Sequence, residues 1–266
     1  MTAFDPEENM NAVCVIARDA GRAILDVYES DFTVEEKDDR TPVTAADHAA
    51  NEIICRKLEE LAPGVPVLSE ESSKVDYEKR KDWKRFWLVD PLDGTKEFIN
   101  RNGEFTVNIA LIDNGQAVLG VVYVPATGLS YYAAAGKGAF KQKGECEVTS
   151  IQARRFEGGK PIVVASRSHA GAETEAFLNN LGAHDIVTMG SALKFCLVAE
   201  GTADVYPRLG PTMEWDTAAA QCVVEIAGGS VTDLNRQPLK FNKPSLLNPS
   251  FLVRGAGDYD WYRYLP

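Results

Sequence analysis

Positive charge and long apolar runs are both scarce in this chain. Its 266 residues carry 28 Lys and Arg against 39 Asp and Glu, which gives a formal net charge of −11. No apolar run reaches the roughly 18 residues that a membrane-spanning helix needs. An acidic chain is also a poor general ligand for nucleic acid, because binding to a phosphate backbone depends on cationic side chains. These shortages argue against a membrane-spanning protein and against a nucleic-acid-binding protein.

Cysteine and histidine are scarce as well, with five and three residues respectively. The cysteines lack the paired spacing of a zinc site, and their odd number favours a reducing compartment over a disulfide framework. Residues 1–8 are acidic and lack the basic start of a secretory signal. We therefore expect a cytoplasmic protein with free thiols.

The first half, which we place at residues 1–155, predicts two amphipathic helices followed by a mostly antiparallel sheet. Apolar residues recur at helical spacing over residues 9–28 and again after Thr44, which we expect to cap the second helix. Two charged stretches, 31–41 and 73–85, predict a loop and a solvated segment. Strands are predicted, with a hairpin turn at Asn114-Gly115, over residues 86–89, 105–112, 117–124 and 129–134.

The second half, residues 156–266, predicts alternating strands and helices. The predicted strands cover residues 162–165, 186–189, 203–206, 230–233 and 251–254. The predicted helices cover residues 171–181, 191–200 and 216–227. Alternation of this kind is typical of α/β layers. The fold class that we predict is therefore α/β, a layered sandwich of helices and sheets.

One stretch, residues 86–95, concentrates the chemistry of the first half. Its apolar run ends at Asp90, and because Pro91 cannot donate to a sheet, we expect the strand to stop there and turn. Asp93 lies in the same turn, and Thr95 begins a predicted short helix, where backbone N–H groups favour an anion. Carboxylates for a hard cation beside donors for a phosphate indicate metal-assisted phosphate chemistry. The alternative is an ordinary polar turn.

Two other acidic positions strengthen the metal hypothesis. Glu70 follows an apolar run, and Asp216 opens an apolar helix. Ligation by oxygen atoms alone favours Mg²⁺ or Mn²⁺ over zinc, and several carboxylates placed together repel one another unless a cation lies between them. Asp216 also has a simpler explanation, as an acid in the first turn of a helix.

Three motifs occur in one order: Glu-Glu at 70–71, Asp-Pro-Leu-Asp-Gly-Thr at 90–95 and Trp-Asp-Thr-Ala-Ala at 215–219. This set resembles the inositol monophosphatase superfamily, whose members are Mg²⁺-dependent, lithium-sensitive phosphomonoesterases. Further stretches are most similar to the bacterial 3′(2′),5′-bisphosphate nucleotidases of that superfamily; they cover residues 42–47, 94–99, 101–108, 166–169 and 191–196. The resemblance implies the inositol monophosphatase-like fold.

The resemblance also implies a metal site. In it, Asp90 would bridge two Mg²⁺ ions, Glu70 and the Leu92 carbonyl would complete one of them, and Asp93 and Asp216 would hold the other. Mn²⁺ could replace Mg²⁺, and Li⁺ would inhibit by occupying a magnesium position. Whether a third ion binds is left open.

A catalytic pair is implied in the same way, because a threonine and an aspartate of the family orient and deprotonate the attacking water. Here they are Thr95 and Asp47, and a hydroxyl can relay a proton to a carboxylate. Thr44 and Asp47 also have the spacing of a helix capping box, a role compatible with catalysis. The N–H groups of Gly94 and Thr95 would hold phosphate oxygens.

A bisphosphate nucleotide carries a second phosphate, which needs polar or cationic partners. By resemblance these contacts come from His169, Ser191, Lys194 and Arg208, with the metal ligands Glu70, Leu92, Asp93 and Asp216 also facing the substrate. Ser191 and Lys194 lie three residues apart on a predicted helix, where they would form an anion site in its first turn. The alternatives are a loop histidine, a helix cap and surface charges.

The expected reaction removes the 3′-phosphate of adenosine 3′,5′-bisphosphate and gives AMP and phosphate. By resemblance the enzyme would also act on 3′-phosphoadenylyl sulfate, in sulfate assimilation. Two alternatives stay open: an inositol or sugar phosphate phosphatase on the same fold, and a non-catalytic phosphate-binding module. The resemblance further implies peripheral association with the cytoplasmic face of the inner membrane, although the sequence offers no anchor. It leaves the oligomeric state open.

Overall fold

The computed structural model describes residues 4–30, 33–36, 42–72, 75–166 and 171–266. The helices are Pro6–Tyr28 (α1), Ala45–Leu61 (α2), Tyr77–Arg80 (α3), Thr95–Ile99 (α4), Ala172–Leu181 (α5), Leu193–Ala199 (α6) and Glu214–Ile226 (α7). The first nine strands are Val34–Glu36 (β1), Pro42–Thr44 (β2), Val67–Ser69 (β3), Arg85–Asp93 (β4), Thr106–Asp113 (β5), Gln116–Val124 (β6), Leu129–Ala134 (β7), Gly138–Lys143 (β8) and Thr149–Ser150 (β9). The last five are Ile162–Ser166 (β10), Asp185–Met189 (β11), Val205–Arg208 (β12), Ser230–Asp233 (β13) and Phe251–Arg254 (β14). Short 3₁₀ helices cover Glu70–Ser72 and Trp261–Tyr264.

The larger sheet has seven strands in the order β3 to β9. Only β3 and β4 run parallel; the other neighbours are antiparallel. Strand β4 shows why the sheet is covered on both sides. Trp87 and Val89 pack with α1 and α2, whereas Phe86 and Leu88 pack with α6 and α7. Because successive side chains point to opposite faces, one continuous apolar strand supplies two cores.

The smaller sheet has five strands in the order β11-β10-β12-β14-β13. Val164 and Val253 of this sheet join the core formed with α6 and α7, whereas Val163 and Leu252 pack on the other face with α5. Helix α7 therefore lies between two sheets, which explains why it is apolar on nearly every side. The layers run helix, sheet, helix, sheet, helix, as a layered α/β sandwich.

Several sequence predictions match the structure closely. Thr44 caps α2, the helix at 95–99 and the strands at 230–233 and 251–254 are present, and Asn114 adopts the left-handed backbone of a hairpin turn, with φ of 50°. The larger sheet ends at Ser150 and the smaller begins at Ile162. Helices α6 and α7 pack against both sheets, so the two halves share one core. The domain boundary near residue 155 therefore stays a prediction.

Four sequence predictions need correction. Strand β4 does not stop at Asp90 but continues to Asp93, with a register irregularity between the two. Part of the predicted loop 31–41 forms strand β1, which pairs with β2. In the stretch predicted as solvated, Arg80 is buried and binds the backbone carbonyls of Lys243 and Pro244. Helix α6 begins at Leu193, not at residue 191.

No helix in the described part of the chain is long and apolar enough to cross a membrane. The peripheral membrane association stays a prediction.

Candidate active site

Parallel pairing of β3 with β4 brings the first two acidic motifs together. Ser69 lies opposite Val89 in the parallel pair, so the residues that follow them, Glu70 and Asp90, come next to each other. Asp216 lies in the first turn of α7, which packs across the face of this sheet. The three acidic segments thus meet at one point, although 146 residues separate the first from the last.

The three carboxylates form a compact cluster. One oxygen from each of Glu70, Asp90 and Asp216 lies within 4.8 Å of the others. Burial raises the pKa of Asp90 well above its ordinary value, and repulsion from Glu70 and Asp93 adds to the shift. Desolvation, followed by repulsion from Asp93, raises the pKa of Asp216 to about 8. Because these groups resist ionising together, a hard divalent cation fits this all-oxygen set.

Asp93 is oriented by donors on one side. Its Oδ2 atom accepts hydrogen bonds from Ser191 Oγ at 2.5 Å, Ala192 N at 2.7 Å and Asn108 Nδ2 at 3.4 Å. Asp93 therefore offers a cation its Oδ1 atom. It lies outside the cluster of three but close enough to raise the pKa of two of its members. A register irregularity in β4 lies between Asp90 and Asp93, and the two carboxylates are close enough for the charge of Asp93 to raise the pKa of Asp90.

Leu92 lies inside this irregular turn. Its N–H donates to Asp90 Oδ1 at 3.1 Å, and its carbonyl oxygen accepts from Thr95 Oγ1 at 3.5 Å. The side chain is buried. The turn thus presents a backbone oxygen next to the carboxylates, where the resemblance places a metal ligand.

The two side-chain oxygens of Asp47 accept hydrogen bonds from different residues. Its Oδ2 atom accepts from Thr44 N at 2.7 Å and Thr44 Oγ1 at 2.8 Å, which confirms the predicted capping box. Its Oδ1 atom accepts from Thr95 Oγ1 at 3.5 Å. That last contact is long, as catalytic hydrogen bonds often are before substrate binds. Capping and proton relay are therefore compatible in one carboxylate, because they use different atoms.

Gly94 makes the turn before α4 feasible. Its φ of 90° is in the left-handed region, and a Cβ atom there would lie 3.3 Å from the Glu104 carbonyl oxygen. A side chain would be strained on both counts. The backbone of Gly94 can therefore approach a ligand closely, beside the hydroxyl of Thr95.

A cleft of about 190 Å³ opens beside the carboxylates, and Asp93, Asp216, Lys194 and Arg208 all line it. Lys194 is only 7% exposed, and its Nζ donates to the Ser191 carbonyl at 2.6 Å. Burial lowers the pKa of Lys194 to about 8, against the opposing charge of Asp93. The alternative of a surface charge is therefore wrong for Lys194.

Arg208 and Ser191 differ from expectation in detail. Arg208 is half-buried; its Nη2 donates to the Pro211 carbonyl at 2.8 Å, and its buried Nε has no hydrogen-bond partner among the residues that the structure describes. Ser191 precedes α6 with a φ of 52°, so it does not lie in a helical first turn as predicted; the anion site itself stays a prediction. The Ser191 hydroxyl bonds Asp93 and lies 2.5 Å from Thr106 Oγ1. His169 lies outside the described residues.

A second cavity of about 340 Å³ adjoins the cleft, with Ser166, Tyr206 and Arg208 common to both. The sequence interpretation missed Tyr206 and Thr174, which line it. The spacing of Tyr206 and Arg208 was a usable signal, since residues two apart on a strand share one face. Glu104 lies in the stretch 101–108 that carries the resemblance but was given no role there; its Oε2 accepts from Gly190 N at 2.7 Å.

The chain is similar to known proteins over nearly its whole length. The model of the inositol monophosphatase family matches residues 5–259. The chain is 53% identical over 248 residues to the protein named 3′(2′),5′-bisphosphate nucleotidase CysQ in Shigella flexneri and in Escherichia coli K12, covering 92% of this chain and 98% of each relative. The crystal structure of CysQ from Bacteroides thetaiotaomicron matches with a TM-score of 0.84 and 42% identity, over 95% of this chain and 98% of that one. The suppressor protein SuhB from Bartonella henselae matches with a TM-score of 0.76 and 29% identity, over 96% and 95%.

Proposed function

The chain belongs to the inositol monophosphatase family, and we propose that it is a 3′(2′),5′-bisphosphate nucleotidase that hydrolyses adenosine 3′,5′-bisphosphate to AMP and phosphate. One structural observation carries the proposal: Asp216 of the carboxylate cluster, its neighbour Asp93 and the buried Lys194 line the same cleft. A substrate with two phosphates would fit such a cleft, because one end offers a site for metal and phosphate and the other end offers a cationic side chain. The activity would extend to 3′-phosphoadenylyl sulfate and belong to sulfate assimilation.

Enzymes of this family depend on metal, and the residues present here fit Mg²⁺. Glu70, Asp90, Asp93, Asp216 and the Leu92 carbonyl would hold two or three ions, and Mn²⁺ could take their place. Bound divalent ions supply positive charge that polarises the phosphate and lowers the pKa of water. Li⁺ would inhibit by occupying one of these positions.

The protein's own part in the reaction is to place a water molecule and remove its proton. Thr95 Oγ1 would orient the water and pass a proton to Asp47 Oδ1, its partner at 3.5 Å. The water oxygen forms a bond to phosphorus as the bond between phosphorus and the 3′ oxygen of the nucleotide breaks. The leaving 3′ oxygen then takes up a proton and becomes the 3′ hydroxyl of the product. The N–H groups of Gly94 and Thr95 would hold the phosphate oxygens during the displacement.

The retained phosphate would lie farther along the cleft. Lys194 and Arg208 supply the positive charge there, and Ser191 lines the wall between them and Asp93. The adjoining cavity beside Tyr206 would receive the nucleoside. A contact from His169 stays a prediction.

Phosphate release from the purified chain tests this proposal. In Mg²⁺, adenosine 3′,5′-bisphosphate should be hydrolysed in strong preference to inositol 1-phosphate, and Li⁺ should inhibit. Preference for inositol 1-phosphate would keep the metal chemistry but contradict the role of Lys194 and Arg208. Release from neither substrate would contradict an enzymatic function and favour a phosphate-binding module.

A further inference from the structure

Glu214, the first residue of α7, carries a carboxylate with no solvent exposure. Its Oε2 atom accepts from Asn242 N at 2.6 Å. Its Oε1 atom accepts from Lys243 N at 3.0 Å and from Lys243 Nζ at 2.6 Å. A buried carboxylate is costly unless it is paired and hydrogen-bonded, and here both oxygens have partners. All the partners come from one segment, residues 242–248.

The 242–248 segment contains neither helix nor strand, and backbone bonds as well as side chains hold it to the start of α7. Glu214 N donates to the Leu246 carbonyl at 2.9 Å, and Asn248 N donates to the Thr212 carbonyl at 2.8 Å. Asn248 Nδ2 donates to the Met213 carbonyl at 2.8 Å and to Thr217 Oγ1 at 3.1 Å. On the far side, buried Arg80 donates to Asn242 Oδ1 at 2.8 Å. The segment is therefore fixed to the body of the protein and in turn grips the start of α7 on two sides.

The first turn of α7, which the 242–248 segment contacts, also contains Asp216. Asp216 Oδ2 accepts from Met213 N at 2.8 Å, and Met213 is the residue whose carbonyl Asn248 binds. Glu214 and Asp216 lie in the same first turn of α7, so the position of that turn sets where the remaining Asp216 oxygen points. A shift of Glu214 would therefore move Asp216 away from Glu70 and Asp90.

We propose that the Glu214–Lys243 ion pair is a positioning device for the metal site: it fixes the first turn of α7 so that Asp216 completes the carboxylate cluster. This rests on the proposed metal role of Asp216. An apolar residue at position 214 would fill the same space without the directional bonds. The pair thus acts on metal affinity through Asp216 and touches neither substrate nor ion.

The test measures Mn²⁺ binding without substrate, by electron paramagnetic resonance of free Mn²⁺. Glu214→Gln keeps the size of the side chain, and Lys243, part-exposed, can turn to water. We expect the dissociation constant of Glu214→Gln for Mn²⁺ to be about tenfold above that of the wild type, the lower end of the range for residues that orient metal ligands. Lys243→Gln should also raise the dissociation constant for Mn²⁺. This variant provides the test if Glu214→Gln fails to fold.

Asp204→Asn is the matched control. Asp204 is equally buried, accepts from Arg154 Nε and Ile162 N at 2.7 Å each, and does not line the cleft. The Asp204→Asn substitution should destabilise the fold but leave Mn²⁺ affinity unchanged. Unchanged affinity in both Glu214→Gln and Lys243→Gln, or equal weakening in Asp204→Asn, would overturn the proposal. Asp216→Asn tests the proposed function separately: wild-type affinity in that variant would remove the metal role of Asp216 itself.

Discussion

Asp47 offers the sharpest test at the scale of single residues, because its two oxygens face different partners. Asp47→Asn removes the proton acceptor from Thr95. We expect turnover to fall at least about 100-fold, the lower end of what general-base groups contribute. Mn²⁺ affinity should change little, since Asp47 is not in the metal cluster. Steady-state kinetics together with metal titration measures both effects.

Thr44→Ala separates capping from catalysis. It deletes the hydroxyl that bonds Asp47 Oδ2 but leaves the contact between Asp47 Oδ1 and Thr95. Stability should fall by about 1 kcal/mol, as for other lost caps, while turnover stays near wild type. If Asp47→Asn lost no more activity than Thr44→Ala, the relay role of Asp47 would be refuted.

Lys194 predicts a pH effect on substrate recognition. Burial lowers its pKa to about 8, so the free enzyme loses this cation as the pH rises through 8. The value of kcat/KM for adenosine 3′,5′-bisphosphate, which reports groups of the free enzyme, should therefore fall between pH 7 and 9. Initial rates at low substrate concentration across this range measure the fall.

Lys194→Met supplies the control for that profile. It should lower kcat/KM for the bisphosphate more than for a plain monophosphate, and the fall between pH 7 and 9 that belongs to Lys194 should disappear. Equal losses on both substrates would show that Lys194 does not select for the second phosphate.

At the scale of elements, the sequence predicted features that depend on neighbouring residues and missed features that depend on contacts between distant segments. The cap at Thr44 and the hairpin at Asn114-Gly115 depend on adjacent residues, and both were predicted. The continuation of β4 beyond Asp90 was missed, because pairing of Asp93 with Thr106 in the next strand outweighs the local turn signal. The start of α6 was misplaced for the same reason: Ser191 is held in a left-handed conformation next to Asp93 and Thr106.

The site shows the same division. Its carboxylates and Thr95 were predicted from their motifs. The grip of residues 242–248 on Glu214 was not, because no local pattern links segments that meet only in the fold. The burial of Lys194 was missed as well, since a lysine on a helix gives no sign of which layer will cover it.

The close approach of β6 and α7 yields a prediction for an element. A Cβ atom at Gly120 would lie 2.3 Å from the Ala219 carbonyl and 2.8 Å from Cys222 Cβ. Gly120→Ala must therefore push α7 away from the sheet, and we expect a loss of about 1–3 kcal/mol in unfolding free energy, typical of overpacking. Because Asp216 moves with α7, Mn²⁺ affinity should fall too. Chemical denaturation and metal titration measure the two effects.

Gly210→Ala is the comparison for that variant. Among the described residues, no heavy atom lies within 4 Å of the position that a Cβ atom of residue 210 would take, and the backbone there is not left-handed. The stability of Gly210→Ala should stay within about 0.5 kcal/mol of wild type, as for surface changes. Wild-type stability in Gly120→Ala would show that the helix and sheet tolerate separation.

At the scale of the whole molecule, the carboxylate cluster links folding to pH and to metal. Asp90 and Asp216 have pKa values above their ordinary range in the folded, ion-free protein. The folded state therefore binds more protons than the unfolded state between about pH 4 and 8, so stability falls as pH rises through this window. Ion-free protein should melt at a lower temperature at pH 8 than at pH 6.

Mg²⁺ should reverse this loss, because it binds the ionised carboxylates of the folded chain. At about 100 times its dissociation constant the gain is about 2.7 kcal/mol, and each kcal/mol raises the melting temperature of a chain this size by about 2–4 °C. The rise should be larger at pH 8 than at pH 6, where protons compete. Asp216→Asn should lose most of this stabilisation, whereas Glu225→Gln, at the other end of α7 and outside the carboxylate cluster, should keep it. Equal Mg²⁺ stabilisation of wild type and Asp216→Asn would mean that the ion binds elsewhere.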